Sequence, residues 1–371
     1  MRILFIITRA EPLGGAQIHV RDVALALKAH DHDIHVIFGN DGQIARQLAE
    51  AGVSVHFMKH LYRPIRPVSD VRAFLEFKRI VRKLKPDLVS AHSSKAGCIA
   101  RLVGRSTGTP TLYTAHGLVF SEGIPRFRRL IYLWAEKMIG RISDQIIAVC
   151  EHDRNMAITE RVVQPERILV IHNAMPDVGC KAIAEPATDP PTIVMVARFM
   201  PQKDHKSVLM ALSELKHLLW MLQFVGDGPL EESARRLVKD LDLENRVEFL
   251  GKRLDVDRIL ARAQIFLLVT KWEGLSRSTI EALRAGLPCI VSNVGGMSEL
   301  ISDSIEGYLV PQNDRRILTQ RLQNLIEDPD LRVRFGIAAR QRYERDFQFG
   351  IMFEKTMKVY DKLIQRNSIR A

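Results

Sequence analysis

Short apolar runs of four to seven residues recur along the chain and alternate with stretches of helical periodicity. In the first half, these runs are Arg2–Thr8, Ile34–Phe38, Val53–Phe57, Asp87–Ala91, Thr111–Ala115 and Gln145–Val149. In the second half, they are Thr192–Ala197, Met221–Val225, Arg246–Leu250, Gln264–Val269 and Cys289–Ser292. Runs of this kind are typical of strands buried on both faces, and their alternation with helices predicts parallel sheets of the α/β class.

The two series are separated by residues 177–191, which are rich in proline and alanine and show no periodicity. The length of 371 residues is enough for two domains of ordinary size. We therefore predict a first domain over residues 1–176, a linker over 177–191 and a second domain over 192–349. A final amphipathic helix is predicted over Gly350–Ile364.

The most informative stretch is Lys271–Glu299, where a polar loop precedes a predicted helix over Ser278–Ala285. Glu273 lies in this loop, and the hydroxyls of Ser276 and Ser278 are suited to cap the helix. A helix N-terminus attracts anions, and phosphates above all. Glu281 follows on the helix, where its carboxylate could accept hydrogen bonds from a ribose diol. Alternatively, Glu273 is a cap and Glu281 a solvated helix residue.

The stretch resembles the signature of glycosyltransferase family 4. The residues that match it are Glu273-Gly274-Leu275, Glu281-Ala282-Leu283, Gly286-Leu287-Pro288, Gly295-Gly296 and Glu299. The resemblance implies the GT-B fold, with two facing Rossmann-like domains, a deep interdomain cleft and a C-terminal helix, 350–371, that crosses back to the first domain. It implies that Glu273 and the amides of Gly274, Leu275 and Ser276 meet the sugar and phosphates of the donor, and that Glu281 holds the ribose. Many relatives have proline or glycine where this chain has Ser276.

Two cations follow the first strand of the second domain. Arg198 and Lys203 are spaced as R-x4-K, and both side chains are suited to a diphosphate. This spacing matches the phosphate clamp of the resembled family, where the two cations neutralise the leaving diphosphate. The same resemblance places Arg253, after the strand Arg246–Leu250, in the loop that passes the nucleobase.

In the first domain, Gly14 and Gly15 form a turn between a strand and a helix, which is by itself weak evidence for a phosphate site. The resemblance places this turn near the donor phosphates or the acceptor. His116 follows the strand Thr111–Ala115, at the edge where α/β sheets bind ligands. The resemblance implies that His116 touches the donor sugar. Lys95 ends the preceding strand region, and it either contacts the acceptor or lies where the next helix is capped.

The formal net charge of +11 is concentrated between residues 60 and 141, which hold 16 Lys+Arg and 5 Asp+Glu. Within this region, the segment 125–141 carries Arg126, Arg128 and Arg129 among aromatic and aliphatic residues. Such a helix could lie on an anionic membrane surface, or it could be a core helix with a solvated cationic face. The basic N-terminal half suggests a glycan or polyprenyl-diphosphate-linked acceptor. No nucleic-acid-binding motif is present, so we expect no nucleic acid.

The sequence predicts neither a metal site nor a cofactor other than the nucleotide sugar itself. Asp31-His32-Asp33 spells D-x-D, but it precedes a strand and is interpreted as a solvated turn. Cys98, Cys150, Cys180 and Cys289 lack paired spacing and are interpreted as reduced thiols. The apolar runs are too short to span a bilayer, and the first residues lack the features of a signal peptide. We therefore expect a cytoplasmic protein, peripheral on the inner face of the plasma membrane.

Together with the family resemblance, which implies retention of the anomeric configuration, these features predict a metal-independent glycosyltransferase of surface polysaccharide, lipopolysaccharide or capsule biosynthesis. It would move a hexosyl or N-acetylhexosaminyl group from a nucleotide diphosphate sugar to a glycan or lipid-linked glycan. Two alternatives stay open at this point: a nucleotide-sugar epimerase, which needs no acceptor, and a non-catalytic carbohydrate-binding protein of the same fold. The joint presence of Arg198, Lys203, Glu273 and Glu281 disfavours the second alternative.

Overall fold

A computed structural model describes residues 1–11, 14–120, 123–179 and 182–368. The chain divides into two compact units. Unit 1 consists of Met1–Asn173 together with the last helix from Met352 onward, and unit 2 consists of Ala174–Ile351. The units therefore change at residues 173/174 and 351/352, while the domain limits taken from the sequence lie at 176, 191 and 349.

Unit 1 is built on a seven-stranded parallel sheet with the order β3-β2-β1-β4-β5-β6-β7. Its strands are β1 Arg2–Ile7, β2 Asp33–Phe38, β3 Ser54–Phe57, β4 Leu88–His92, β5 Thr111–Ala115, β6 Gln145–Ala148 and β7 Ile168–Val170. Its helices are α1 Gly15–Ala29, α2 Gln43–Glu50, α3 Pro67–Leu84, α4 Ser94–Thr107, α5 Arg126–Gly140 and α6 Glu151–Thr159. The first six strands agree with the predicted runs to within a residue or two, and the three-residue strand β7 was not predicted.

Unit 2 contains a six-stranded parallel sheet with the order β10-β9-β8-β11-β12-β13. Its strands are β8 Thr192–Val196, β9 Met221–Val225, β10 Val247–Gly251, β11 Ile265–Leu268, β12 Cys289–Ser292 and β13 Gly307–Val310. Its helices are α7 His205–Ser213, α8 Glu231–Asp240, α9 Val256–Leu260, α10 Arg277–Ala285, α11 Arg315–Glu327 and α12 Pro329–Asp346, and α13 Phe349–Ser368 begins here. Two parallel Rossmann-like sheets, as the sequence predicts, are confirmed.

Both sheets reverse their strand order once near the middle. In unit 1 the reversal lies between β1 and β4, and in unit 2 between β8 and β11. Ligands of open α/β sheets bind outside the carboxyl ends of strands at such reversals. The loops that follow these four strands are therefore where the topology favours a site, and they carry Gly14, Arg198, Lys203 and the Glu273–Ser276 stretch.

The final helix α13 extends beyond the amphipathic pattern Gly350–Ile364, within the range 350–371 that the resemblance implies, and it joins unit 1 from Met352 onward. Its buried residues Met352, Tyr360 and Leu363 recur on one face, as the amphipathic pattern requires. The hydroxyl of Tyr360 donates a hydrogen bond of 3.0 Å to Ser90 Oγ, inside strand β4. The predicted return of the C-terminal helix to the first domain is confirmed.

The segment after residue 181, which the composition indicates to be a linker, packs within unit 2. Arg332 of α12 is fully buried, and its guanidinium donates to the carbonyl oxygens of Pro186 and Thr188 at 2.6 and 3.2 Å. It also pairs with the carboxylate of Asp189 at 2.5 Å. A buried cation that lost these acceptors would be strongly destabilising, so the segment is an integral part of the unit.

Candidate active site

The loops that follow β8 and β11 in unit 2 are joined through their backbones. The amide of Asp204 donates to the carbonyl oxygen of Val269 at 3.0 Å, and the amide of Lys271 donates to that of Gln202 at 2.9 Å. Lys203 and Thr270 form an isolated antiparallel bridge between these two bonds. Because the two loops are held as a pair, the side chain of Lys203 is directed towards the residues that follow Thr270.

This pairing brings Lys203 and Glu273 together, although they are 70 residues apart in the sequence. The ammonium group of Lys203 forms an ion pair with Glu273 Oε2. Gln202 supports the carboxylate by donating to the same oxygen at 3.3 Å and to the carbonyl of Trp272 at 2.6 Å. Both charged side chains are mostly shielded, with 14% and 19% of their surfaces exposed. An incoming phosphate could compete with the carboxylate for the lysine.

The turn Gly295-Gly296, after β12, packs directly against the backbone of the Glu273 loop. Gly295 has a φ of 55°, and a Cβ built there would lie 1.8 Å from the carbonyl oxygen of Glu273. The amide of Gly296 donates to the carbonyl of Gly274 at 3.1 Å. The turn requires glycine both for its left-handed backbone and for this close approach. The Gly295-Gly296 step of the sequence therefore fixes the position of the Glu273 backbone.

Helix α10 begins directly after this loop. Ser276 is its N-cap residue, and its hydroxyl accepts a hydrogen bond of 3.3 Å from the amide of Thr279. The hydroxyls of Ser276 and Ser278 are 3.1 Å apart. Leu275 is buried, which anchors the loop, and Glu281 lies half-buried on the helix. The N-terminus of α10 thus opens beside the loop that holds Glu273 and Gly274, as an anion site would require.

Arg198 lies on the loop after β8, and 51% of its side-chain surface is exposed. Its Nε is 3.8 Å from the carboxylate of Asp227, a partner that sequence reasoning missed. The turn that contains Asp227 packs tightly on this loop, since a Cβ at Gly226 would lie 2.1 Å from the carbonyl oxygen of Ala197. The two glycines of the Gly226–Gly228 turn could have signalled such a close approach.

Arg253, on the loop after β10, forms an ion pair with Asp255 at the protein surface. Its Nε and Nη2 donate to the two carboxylate oxygens of Asp255 at 2.8 and 2.7 Å. These hydrogen bonds from Arg253 hold the pKa of Asp255 below its ordinary value. The guanidinium of Arg253 would have to leave this pair to contact a ligand with its side chain.

His205, the first residue of α7, stabilises the Lys203 loop from the core side. Its ring stacks on Phe199 with 4.0 Å between the ring centroids and contacts Phe224 edge-on at 5.1 Å. Burial lowers the pKa of His205 to about 4, so that it is neutral near pH 7. The loop that holds Arg198 and Lys203 is therefore anchored at its apolar base.

In unit 1, Gly14 is the N-cap residue of α1 and has ordinary extended backbone angles, and Gly15 is the first residue of the helix. Pro12 and Leu13, which precede these glycines in the sequence, lie outside the described residues, as does Cys180. Within the described residues, Cys98, Cys150 and Cys289 are not joined by disulfides. Asp33 of the D-x-D motif is the first residue of β2, and its carboxylate forms an ion pair of 2.6 Å with Arg2.

His116 follows β5 and belongs to a cluster of histidines that the sequence did not predict. His92, the last residue of β4, approaches it with 3.0 Å between His92 Nδ1 and His116 Nε2. His19 of α1 completes the group, with its ring centroid 4.9 Å from that of His116. Burial, and then the neighbouring His116, hold the pKa of His92 well below its ordinary value. The pairing of the adjacent strands β4 and β5 brings the rings of His92 and His116 together.

The predicted acceptor or membrane residues differ in their environments. Lys95 Nζ pairs with Asp70 at 2.6 Å and is mostly shielded. Arg129 pairs with Glu160 at 2.5 Å and donates to the carbonyl of Phe120. Arg126 and Arg128 are exposed in the first turn of α5. Contact of Lys95 or Arg129 with an acceptor would therefore have to replace an existing ion pair.

Helices α3 and α5 pack on either side of α4 and expose large apolar side chains. We name this surface the α3/α5 face; its exposed apolar residues are Val68, Val71, Leu75, Phe127, Leu130, Ile131, Trp134 and Met138. Phe127 and Trp134 are 74% and 67% exposed. Within the described part of the chain, no helix is both long enough and apolar enough to cross a membrane.

Comparison with known proteins gives two family matches and many relatives. Residues 13–177 match the model described as "Glycosyltransferase Family 4", and residues 181–342 match "Glycosyl transferases group 1". An Escherichia coli relative, "UDP-Gal:alpha-D-GlcNAc-diphosphoundecaprenol alpha-1,3-galactosyltransferase", is 28% identical over 320 residues, which are 81% of this chain and 82% of the relative.

A Campylobacter jejuni relative is named "N-acetylgalactosamine-N,N'-diacetylbacillosaminyl-diphospho-undecaprenol 4-alpha-N-acetylgalactosaminyltransferase" and is 24% identical, covering 89% of this chain and 91% of the relative. Among solved structures, Anabaena Alr3699/HepE in complex with UDP and glucose aligns with a TM-score of 0.84 at 19% identity, over 98% of this chain and all of the other. This structural likeness is to proteins of the GT-B fold.

Proposed function

The chain belongs to glycosyltransferase family 4, and from this premise we propose that it transfers a sugar from a UDP-sugar to a polyprenyl-diphosphate-linked glycan. The E. coli relative is named for UDP-Gal as its donor, and both the E. coli and C. jejuni relatives are named for undecaprenol-linked acceptors. The product would enter the biosynthesis of a surface polysaccharide. The enzyme would work in the cytoplasm, on the inner face of the plasma membrane.

The observation that carries the proposal is the Lys203–Glu273 pair beside the N-terminus of α10. Sugar transfer leaves a diphosphate with increased negative charge, and neutralising this charge is the largest electrostatic task of the reaction. We assign this task to Lys203 and Arg198, together with the amides of the Gly274–Ser276 loop and the helix dipole. The ion pair keeps the lysine in place before the donor arrives.

The other residues receive roles from their positions. Glu273, released by the phosphate from its lysine, would accept hydrogen bonds from hydroxyls of the transferred sugar. Glu281 on α10 would hold the ribose diol, and the loop of Arg253 would pass the base. His116 would contact the donor sugar, and the Gly14-Gly15 turn would allow the backbone to approach the donor phosphates.

We propose that the transfer retains the anomeric configuration and needs no metal ion. The cations Lys203 and Arg198 supply the positive charge that a metal would otherwise bring to the diphosphate. The acceptor hydroxyl would attack from the face of the leaving group, and a leaving-phosphate oxygen would accept its proton. The glycosidic bond to UDP breaks as the new bond forms, so that the products are UDP and the extended glycan.

A turnover assay tests this proposal. The protein is incubated in EDTA with UDP-, GDP-, ADP- or dTDP-sugars and a synthetic undecaprenyl-diphosphate sugar acceptor. We expect transfer from a UDP-sugar alone, with equal rates in EDTA and in Mg²⁺. The coupling constant of the new anomeric proton should report the same configuration as in the donor.

Several results would contradict the proposal. A different nucleotide as the sole donor would refute the UDP assignment, and an inverted product would refute the retaining mechanism. Activity lost in EDTA and restored by Mg²⁺ or Mn²⁺ would refute metal independence. Conversion of the donor to an epimer without any acceptor would instead support the epimerase alternative.

The α3/α5 face supports the membrane part of the proposal. The region around it holds the whole positive excess of the chain, and its apolar residues recur at helical spacing on each helix. A cationic surface with exposed aromatic residues suits the interface of an anionic leaflet, where the acceptor would be presented. We therefore propose that α3 and α5 dock the enzyme on anionic lipid.

Liposome flotation tests this docking. The protein should float with vesicles that contain phosphatidylglycerol and remain largely unbound with neutral vesicles. A Phe127→Gln, Trp134→Gln double variant should bind at least about tenfold more weakly, since burying each ring contributes about 1.5–3 kcal/mol. Leu219→Gln, which alters a residue 72% exposed in unit 2, is the matched control and should float normally. Equal flotation with neutral vesicles, or by the double variant, would refute the docking surface.

A further inference from the structure

A continuous chain of hydrogen bonds connects the C-terminal helix of unit 1 to His116. The hydroxyl of Tyr360 in α13 donates to Ser90 Oγ at 3.0 Å. Ser90 Oγ is 3.2 Å from His92 Nε2, and His92 Nδ1 is 3.0 Å from His116 Nε2. Tyr360, Ser90 and His92 are each at most 1% exposed. Water therefore has little access to these three groups, and their bonds depend on one another.

The direction of these bonds follows from counting hydrogens. Tyr360 donates to Ser90, and Ser90 then satisfies its own hydrogen by donating to His92 Nε2. Because burial keeps His92 neutral, its single ring hydrogen must then be on Nδ1, where it is donated to His116. His116 Nε2 thus accepts, and the ring hydrogen of His116 is on Nδ1.

The opposite direction satisfies the groups less well. If His116 donated to His92 and His92 donated to Ser90, then Ser90 Oγ would accept from both His92 and Tyr360. Its own hydrogen would then need a third partner, yet the hydrogen bonds of Ser90 Oγ within the described residues are those to His92 and Tyr360. A buried hydroxyl without an acceptor carries the full penalty of desolvation.

The ring geometry agrees with a hydrogen bond between the two histidines. The rings of His92 and His116 are within 27° of parallel, with their centroids 5.3 Å apart. With only 3.0 Å between the facing nitrogens, this separation places the rings nearly end to end, as an in-plane N–H···N bond requires. Both ring nitrogens of His92 form hydrogen bonds, one with Ser90 and one with His116. The close grouping of His19, His92 and His116 therefore does not leave His92 available to bind a metal.

We propose that Tyr360, Ser90 and His92 form a hydrogen-bond relay of positioning residues that holds His116 in the Nδ1–H tautomer and fixes the orientation of its ring. The inference rests on the proposed function only in its last step, the contact of His116 with the donor. An isolated neutral histidine side chain favours the other tautomer, with the hydrogen on Nε2. The relay would therefore select a form of His116 that an isolated side chain populates less.

The tautomer can be measured directly by long-range proton–nitrogen NMR of protein labelled with ¹⁵N-histidine, with His116 assigned through a His116→Gln variant. In the wild type we expect a protonated Nδ1 and an unprotonated Nε2 for His116. In Ser90→Ala the relay loses its direction, so the two nitrogen shifts should move towards each other. In Tyr360→Phe, where Ser90 can still donate to His92, they should move less. Tyr360→Phe keeps the packed ring, which favours retention of the fold.

Kinetics with a UDP-sugar and acceptor provide the second measurement. Ser90→Ala should lower kcat by roughly five- to tenfold, the size of one buried hydrogen bond, and Tyr360→Phe by less, with the KM for the donor little changed. Tyr343→Phe is the matched control, because it removes another buried tyrosine hydroxyl, which donates to the carbonyl of Met175 at 3.0 Å in unit 2. The control should lower the melting temperature by a similar amount but leave kcat and the His116 signals unchanged.

The outcomes separate the relay from the proposed function. Unchanged His116 signals in both relay variants, or an equal loss of kcat in Tyr343→Phe, would overturn the relay. Stoichiometric zinc in the purified protein, released together with a change in the His116 signals, would also overturn it. Absence of sugar transfer by the wild type would refute the proposed function, while the NMR result would still decide the tautomer.

Discussion

Replacing Lys203 with methionine is expected to lower kcat by about 10²- to 10³-fold, the usual effect of removing one group that stabilises developing charge. Methionine keeps most of the length and the apolar stem of lysine but removes the ammonium group. That group faces the loop between β11 and α10, where it now pairs with Glu273. Without it, the departing diphosphate would be neutralised by Arg198 and the loop amides alone.

Binding of the nucleotide should weaken as well, which thermal stabilisation can measure. A ligand at 100 times its dissociation constant stabilises the wild type by about 2.7 kcal/mol, and the variant should show a clearly smaller shift at the same UDP concentration. The loss of Lys203 also leaves Glu273 with a partly buried charge that lacks its lysine. The double variant Lys203→Met, Glu273→Gln removes this charge and separates an effect on stability from an effect on catalysis.

Lys206→Met is the matched control for the loss of one positive charge. Lys206 is exposed on α7, three residues beyond Lys203. If the donor were attracted by the overall positive charge near this loop rather than by Lys203 itself, both variants would lose activity to a similar degree. We expect the Lys206 variant to keep nearly full activity. A Lys203→Met enzyme with more than a tenth of the wild-type kcat would exclude Lys203 from the phosphate site.

The sequence predicted the strands well because each is a short apolar run bounded by polar loops. It also singled out Lys203 and Glu273 separately, each as a residue facing the donor. It could not predict that they pair with each other, since this depends on the backbone bridge between Lys203 and Thr270. Contacts between loops of different strands depend on register and loop geometry, which periodicity does not encode.

Arg332 shows a second limit of sequence reasoning. Arginine in a helix rich in charged residues is normally exposed, and a proline-rich segment without periodicity is normally a linker. Here the two features compensate each other, because the carbonyl groups of the irregular segment need donors and the buried guanidinium provides them. Neither half of this arrangement is recognisable without the other.

The histidine cluster shows a third limit. His116 could be singled out by its place after a strand, whereas His92 ends the adjacent strand and His19 lies on α1. The fold class predicts that the carboxyl ends of neighbouring strands meet, so His92 and His116 could have been paired from the alternation of elements. The link to Tyr360 could not have been predicted, because it depends on how α13 packs against β4.

Replacing Gly295 with alanine is expected to lower kcat/KM by about 10²-fold or more while leaving most of the fold intact. The new Cβ would lie 1.8 Å from the carbonyl oxygen of Glu273, a distance that two non-bonded atoms cannot adopt. The turn and the Glu273 loop must therefore separate by an ångström or more. A displacement of about 1 Å at a reacting centre can cost about 10²-fold in rate.

The left-handed backbone at Gly295 adds a cost of its own, of about 1–2 kcal/mol for any residue with a Cβ. Gly286→Ala isolates this cost, because Gly286 in the same unit has a φ of 74° but its Cβ would meet nothing closer than 3.5 Å. Both variants should melt at lower temperature than the wild type, and Gly295→Ala alone should lose activity. If Gly286→Ala lost as much activity, backbone strain rather than displacement of Glu273 would explain the effect. If Gly295→Ala kept near-normal activity, the Glu273 loop would tolerate a shift that its proposed contact with the sugar forbids.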